Sequence, residues 1–143
     1  MASSHGISLI ENLTISTAST GLFDANGNSL DTVNILAGTG ETSNNYAYSK
    51  TMELSPKSIE HILVAICEGC VMEVLLQISP DGNNWVDCTL SDGSVCEANC
   101  TAQAGDCTTK IIDVALLQFV RVRVGNAGSS GGTCTIKLNF TLN

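Results

Sequence analysis

The stretch Val71 to Cys88, VMEVLLQISPDGNNWVDC, predicts the β-hairpin around which the rest of the fold is organised. In its first half, apolar residues recur at every second position, which is the period of a strand with one face in a core. These residues are Met72, Val74, Leu76 and Ile78. The alternate positions form a more mixed face, so we expect only one side of this strand to be buried.

The middle of the stretch predicts the turn. Pro80 fixes φ and has no N–H, Asp81 can bond its own backbone, and Gly82 accepts positive φ. Trp85 then opens the return strand, and these four residues, Pro80, Asp81, Gly82 and Trp85, are assigned an architectural role.

Further strand patterns extend along the chain. They fall at Tyr46–Leu54, Ile59–Ile66, Val71–Ile78, Trp85–Cys88, Lys110–Val114, Phe119–Val124 and Cys134–Leu142. The last two alternate cleanly and are joined by the glycine-rich stretch Gly125–Gly132, which predicts a hairpin loop. We predict an all-β fold, an antiparallel β-sandwich of about seven to eight short strands, with Ile59–Ile66 as a buried strand.

Length and composition indicate one compact unit. At 143 residues the chain suits a single domain, with residues 46–143 as the sandwich and residues 1–45 as an extended N-terminal arm or an edge hairpin.

Only 14% of residues are charged, and 14 acids against 6 bases give a net charge of −8. This charge argues against a nucleic-acid partner, which requires clustered Lys and Arg. No apolar run reaches the roughly 18 residues of a membrane span, and no signal peptide is evident, which predicts synthesis in the cytoplasm.

Two of these motifs resemble β-sandwich structural proteins of tailed bacteriophages, among them the capsid decoration (cement) proteins. The motifs are Ser79-Pro80-Asp81-Gly82-Asn83-Asn84-Trp85 and Gln118–Val124 with its glycine-rich hairpin and final alternating strand, and the resemblance covers about residues 59–142. It implies a non-enzymatic virion protein on the capsid exterior that forms homotrimers, binds the major capsid protein and stabilises contacts between capsid subunits. Weak contacts at three identical sites would combine through effective concentration. A tail or head-completion component would share this fold and differ in its partner.

A carbohydrate-binding sandwich or a tail-associated adhesin is the alternative, because a similar S-D-G-x-x-W hairpin occurs in discoidin-type modules. An exposed Trp85 would stack on a sugar ring while Asp81 and neighbouring Asn side chains bind hydroxyls. The structural interpretation is that Trp85 packs on the sandwich core at the base of the hairpin.

Seven cysteines allow three interpretations. Disulfide bonds would staple the loop from Cys88 to Cys107 once a virion has left the reducing cell; the candidates are Cys67, Cys70, Cys88, Cys96, Cys100 and Cys107. A four-thiolate zinc site would combine Cys67 and Cys70 with Cys96 and Cys100. Free buried thiols are the third interpretation, and the odd count leaves at least one thiol unpaired within the chain, for which inward-facing Cys134 is our choice.

No catalytic arrangement is predicted. The chain has two histidines, His5 and His61, and a lone His within a strand is more often a packed or edge residue than a catalytic one. The carboxylate pairs Asp81 with Asp87 and Asp106 with Asp113 suit turns and solvated loops. We therefore predict no enzyme, no cofactor and no metal site.

Overall fold

The computed structural model describes residues 3–15, 22–28, 46–69, 72–101, 105–126 and 132–143. In these ranges the chain forms strands and no helix. The strands are β1 (Ser3–Ile15), β2 (Ala47–Tyr48), β3 (Met52–Glu53), β4 (Ser58–Glu68), β5 (Met72–Ser79), β6 (Val86–Asp87), β7 (Asp106–Ile111), β8 (Phe119–Asn126) and β9 (Gly132–Leu142). No helix long and apolar enough to cross a membrane occurs in this described part of the chain.

Two antiparallel sheets form the sandwich. Sheet 1 has the order β1-β9-β4-β7, and sheet 2 has the order β2-β8-β5-β6, with β3 pairing on β8 further along the strand. Every pairing between named strands is antiparallel. The prediction of an all-β antiparallel sandwich is therefore confirmed.

The core lies between the sheets and is built by the alternation that the sequence shows. From sheet 2 it receives the inward side chains of β5 and β8, which are Met72, Val74, Leu76, Val120, Val122 and Val124, all 0% exposed. From sheet 1 it receives Leu63, Ala65, Cys67, Cys134, Ile136 and Leu138, none more than 1% exposed. Because each strand turns one side inward, the other side of each sheet is left to form a surface.

Three predicted strands need correction. The predicted strand Tyr46–Leu54 is divided into β2 and β3, because Ser49 turns its Oγ to the N–H of Val122 at 3.0 Å between them. The predicted strand Lys110–Val114 begins four residues earlier, where the polar sequence of β7 pairs with β4. Ile59–Ile66 lies within β4, which is buried on one side only, since Ile66 is 44% exposed.

The N-terminal residues contribute to the sandwich where they are described. β1 lies at one edge of sheet 1 and pairs with β9 from Ser3 opposite Leu142 to Ile15 opposite Gly132. Leu22 is 0% exposed, and Phe23 bridges to Tyr48 beside sheet 2. Residues 16–21 and 29–45, which belong to the predicted arm, lie outside the described residues.

Candidate functional site

The β5–β6 hairpin is held by Asp81. Its Oδ1 accepts hydrogen bonds from the N–H groups of Asn83 and Asn84, both at 2.8 Å, and its Oδ2 accepts one from the Asn84 side chain at 2.6 Å. Gly82 has a φ of 79°, in the left-handed region that glycine adopts without strain. The acceptor groups of Asp81 are thus turned toward its own turn and away from a ligand.

These bonds hold the pKa of Asp81 below its ordinary value, with the backbone N–H of Asn84 as the largest cause and that of Asn83 next. A depressed pKa in the folded state means that the carboxylate stabilises the fold fully above its unfolded pKa, and that this stabilisation is lost as the pH falls through the folded pKa. The window of loss therefore lies below about pH 4, the ordinary value for Asp.

We expect Asp81→Asn to have a lower unfolding midpoint than the wild type, by an amount that is constant above about pH 5 and shrinks below about pH 4. Thermal unfolding of both proteins across this range measures the difference. Comparing the two proteins cancels the contributions of Asp24, Asp92 and Asp113, whose pKa values are also lowered by hydrogen bonds. A difference that stays constant to the lowest pH would contradict the role of the Asp81 carboxylate.

Trp85 belongs to a stack on the outer side of sheet 2, which we call the aromatic stack: Tyr48, Arg121 and Trp85. The Arg121 guanidinium lies 4.2 Å from the Tyr48 ring centroid and 4.4 Å from that of Trp85. Its Nε donates to Gln77 Oε1 at 2.9 Å and its Nη1 donates to the Ala25 carbonyl at 3.1 Å. Trp85 therefore packs in the structure, but against Arg121 on the outside of the sheet and not on the sandwich core.

Arg121 is 6% exposed, whereas Tyr48 and Trp85 are half-buried, so the cation is enclosed while both rings keep exposed area. Burial lowers the pKa of the Arg121 guanidinium, and Tyr48 counteracts that shift. One face of the Trp85 ring and one of Tyr48 are occupied by this cation. A sugar would have to use the remaining faces.

The outer side of sheet 1 differs in character, because it carries aliphatic side chains. Four of these form what we call the apolar strip: Ile62, Val64 and Ile66 of β4 with Ile111 of β7. Ile62 lies opposite Ile111 in the β4–β7 ladder, and Val64 lies opposite Thr109. Ile111 is 71% exposed and Ile66 is 44% exposed. Apolar side chains grouped on a sheet surface are typical of a protein contact.

The β7 backbone forms an edge of sheet 1 beside this strip, as far as the described residues go. In the described part of the chain β7 pairs only with β4. The Ile112 N–H donates to the His61 carbonyl at 3.0 Å, and N–H groups alternate in direction along a strand. The N–H and C=O groups of Cys107, Thr109 and Ile111 therefore point away from β4, as an open sheet edge does.

This surface is not evident from the sequence for a specific reason. The pattern at Lys110–Val114 predicts a strand that continues to Val114, which gives Ile111 no assigned direction. The signal was present in β4, where Ile62, Val64 and Ile66 alternate with Leu63, Ala65 and Cys67. A strand that is apolar on both sides usually has both sides covered, so the outer side of β4 needs a second apolar surface against it.

A cleft of about 640 Å³ lies at one end of the sandwich, between residues 53–61 and 112–118, and includes His61. Burial lowers the pKa of His61, which is 7% exposed. Ser58 Oγ donates to the Ser55 carbonyl at 2.8 Å and lies 3.0 Å from His61 Nε2. Because Ser58 donates its one hydroxyl proton to Ser55, the hydrogen bond between Ser58 and His61 must be donated by Nε2–H. A protonated Nε2 cannot accept the Ser58 proton.

Six of the seven cysteines lie in the described residues, four of them as two neighbouring pairs. Cys88 and Cys96 are neighbours and 0% exposed, and Cys100 and Cys67 lie together in the core. Cys134 faces inward beside Cys67, while Cys107 is exposed on β7. Cys70 lies outside the described residues.

The structure does not assemble the zinc site considered from sequence. Cys96, Ala98 and Cys100 are all buried along an extended segment, so Cys96 and Cys100 lie about 13 Å apart at a rise of about 3.3 Å per residue. One ion cannot bind both at a Zn–S distance of about 2.3 Å. Within the described residues, no group of three or more His, Cys, Asp or Glu side chains has the arrangement of a metal site.

Comparison with known proteins adds a distant likeness of the fold. No protein-family model and no curated protein matches the chain. Among solved structures, a xylan-binding module of type CBM15 is similar at 12% identity, with 99% of this chain and 97% of that chain covered and a TM-score of 0.41. At that score the likeness carries no argument about function, which must come from the surfaces described above.

Proposed function

We propose that this chain is a non-enzymatic virion structural protein that attaches to the outside of a phage head through sheet 1. The observation that carries the proposal is the apolar strip beside the open edge of β7. The proposed partner is the major capsid protein, and self-association into trimers would multiply the attachment.

The two sheets support different roles. On sheet 2 the polar and aromatic groups satisfy each other, as Arg121 does with Gln77 and Tyr48. On sheet 1, no described residue covers the exposed side chains of the apolar strip. Burying one Ile side chain contributes roughly 1.5–3 kcal/mol. Sheet 1 is therefore the side on which binding a protein gains most.

The open edge favours an extended partner segment. An extended peptide added to a sheet edge gains main-chain hydrogen bonds, while the side chains beside it supply specificity. β7 offers Cys107, Thr109 and Ile111 backbone groups for those bonds, with Ile111 and Ile66 next to them. A segment of a capsid subunit bound there would form a fifth strand of sheet 1.

The net charge of −8 and the resemblance to virion proteins support a location on the capsid exterior. An acidic protein is repelled by packaged nucleic acid, which suits a position on the capsid exterior. The resemblance of the hairpin and of the β8–β9 sequences points to tailed phages, and the absence of a predicted catalytic arrangement is consistent with a structural role.

We expect Ile111→Lys to reduce binding to assembled heads by about tenfold or more, because one Ile side chain would no longer be buried at the contact. The measurement is co-sedimentation of the purified chain with heads of the virus that encodes it, over a range of protein concentrations. Sedimentation of the free chain gives its oligomeric state in the same series.

The matched control is Val86→Lys. Val86 is also exposed, at 56%, but it lies on β6 of sheet 2. It should leave binding unchanged. A second variant, Thr109→Pro, removes an outward N–H without removing a bond to β4 and should also weaken binding. Equal effects of Ile111→Lys and Val86→Lys would refute attachment through sheet 1, and a chain that ignores heads would refute the capsid partner.

Carbohydrate binding is the second candidate, favoured by the row of three aromatic rings, Tyr46, Tyr48 and Trp85, on the outer side of sheet 2. Arg123 lies 4.1 Å from the Tyr46 ring centroid, which extends the row beyond the aromatic stack. A chain that binds glycans but not heads, and loses glycan binding in a folded Trp85→Ala variant, would establish this function in place of the first.

A further inference from the structure

We propose that four buried cysteines form two disulfide bonds, Cys88 with Cys96 and Cys67 with Cys100, when the folded chain meets an oxidising medium. This pairing is separate from the proposed capsid attachment, and neither depends on the other. It selects one connectivity from the many that seven cysteines allow.

Cys88 and Cys96 are opposite each other in a small hairpin. Thr89 bridges to Val95, and the Cys96 N–H donates to the Cys88 carbonyl at 2.7 Å. Opposite residues of an antiparallel pair have Cα atoms about 4.5–5.5 Å apart, within the range of about 4.4–6.8 Å for disulfides. Both side chains are fully buried, and each thiol shifts the pKa of the other, as two neighbouring thiols do. The backbone thus places the two sulfur atoms for bonding.

Cys67 and Cys100 come from different sheets. Cys67 points into the core from β4 of sheet 1, while Cys100 exchanges two backbone hydrogen bonds with Met72, at 3.0 and 2.9 Å, beside β5 of sheet 2. The Cys100 Sγ lies 3.6 Å from the Ala65 carbonyl, which shows that this side chain reaches across to β4. The neighbouring Cys67 thiol and burial raise the pKa of Cys100, which agrees with the two side chains being close together. A bond between them would join the two sheets through the core.

Cys134 is the competitor for Cys67. It lies directly opposite Cys67 in the β4–β9 ladder and is likewise buried. The Cys100 Sγ reaches β4 two residues from Cys67, at 3.6 Å from the Ala65 carbonyl, which favours Cys100 as the partner of Cys67. Cys134 then keeps its thiol, and a Cys67–Cys134 bond becomes an outcome that the experiment must separate.

The chemistry needs an oxidant, and oxidised glutathione is sufficient. The Cys96 thiol lowers the pKa of Cys88, whereas the Cys88 thiol and burial raise the pKa of Cys96. Because a fully buried thiol does not react, Cys88 attacks as the thiolate only when local opening of the hairpin exposes it. It displaces one glutathione thiolate to give a mixed disulfide, and the Cys96 sulfur then displaces the second. Two protein protons go to the two glutathione thiolates, so two protein thiols and one glutathione disulfide become one protein disulfide and two reduced glutathiones.

The test is to treat the folded, reduced chain with oxidised glutathione, unfold it in denaturant, alkylate it without reductant, digest it and identify linked peptides by mass spectrometry. We expect Cys88–Cys96 and Cys67–Cys100 peptides. Cys88→Ser should remove the first link and leave the second, and Cys100→Ala should do the reverse. Reduction of the oxidised chain should lower its thermal midpoint by roughly 15–25 °C for the two bonds together.

Alkylation of all seven cysteines after this treatment would overturn the proposal. Links of Cys67 to Cys134, or of Cys88 to a residue other than Cys96, would overturn the corresponding half. Because the oxidation starts from folded wild-type protein, failure of a variant to fold does not affect the main result.

Discussion

Replacing Arg121 with methionine is expected to lower the free energy of unfolding by about 3 kcal/mol. The variant keeps an unbranched stem between Tyr48 and Trp85 but has no cation and no donor. It leaves Gln77 Oε1 and the Ala25 carbonyl without the Arg121 bonds of 2.9 and 3.1 Å. A buried acceptor left unpaired costs about 1–3 kcal/mol, and a desolvated cation–π contact contributes up to about 2 kcal/mol. Urea unfolding at neutral pH measures the loss as a shift in midpoint.

Arg123→Met is the matched control, because Arg123 lies on the same side of β8 and contacts one ring, that of Tyr46. It should cost about 1 kcal/mol. Similar losses for the two variants would mean that the hydrogen bonds and the second ring of the Arg121 cluster add little to the stability of sheet 2.

Leu76→Ala is expected to cost about 3 kcal/mol and to lower the thermal midpoint by about 10 °C. Leu76 is 0% exposed on the inner side of β5, opposite Val122 in the ladder with β8. Truncation removes apolar contacts and leaves a cavity that the rigid strands on both sides cannot close. Thermal unfolding followed by circular dichroism measures the change.

Leu117→Ala serves as its control. Leu117 is 39% exposed near the end of the sandwich, so the same truncation should change stability by less than about 0.5 kcal/mol. A loss below about 1 kcal/mol for Leu76→Ala would contradict its central place in the core.

The fold was predictable because its strands obey one simple rule. In β5, β8 and β9 every second residue is apolar, and most of those residues are buried, although Leu75, Gln77 and Arg121 on the opposite sides of β5 and β8 are nearly as buried. The turn at Pro80 to Gly82 has local chemistry that needs no tertiary partner. These elements carry their conformation in short stretches of sequence.

The rest depended on partners that are distant along the chain. β7 is polar and β-branched in the sequence Asp106–Ile111, and it is a strand because β4 lies beside it. The packing of Trp85 on Arg121 joins residues whose contact only the β5–β8 pairing creates. The thiol pairs likewise follow from the ladder and from the distance between sheets, which cysteine spacing does not reveal.

The pairing of β1 with β9 also has a consequence for synthesis. The two strands lie at opposite ends of the described chain, and their ladder joins Ile15 to Gly132. At a translation rate of about 5–20 residues per second, β1 waits roughly ten seconds for the strand that it pairs with. Contacts between such distant residues form slowly because the intervening chain must first lose entropy. We therefore expect the closure of sheet 1 to be a late folding step, while the β5–β6 hairpin of sheet 2 forms early.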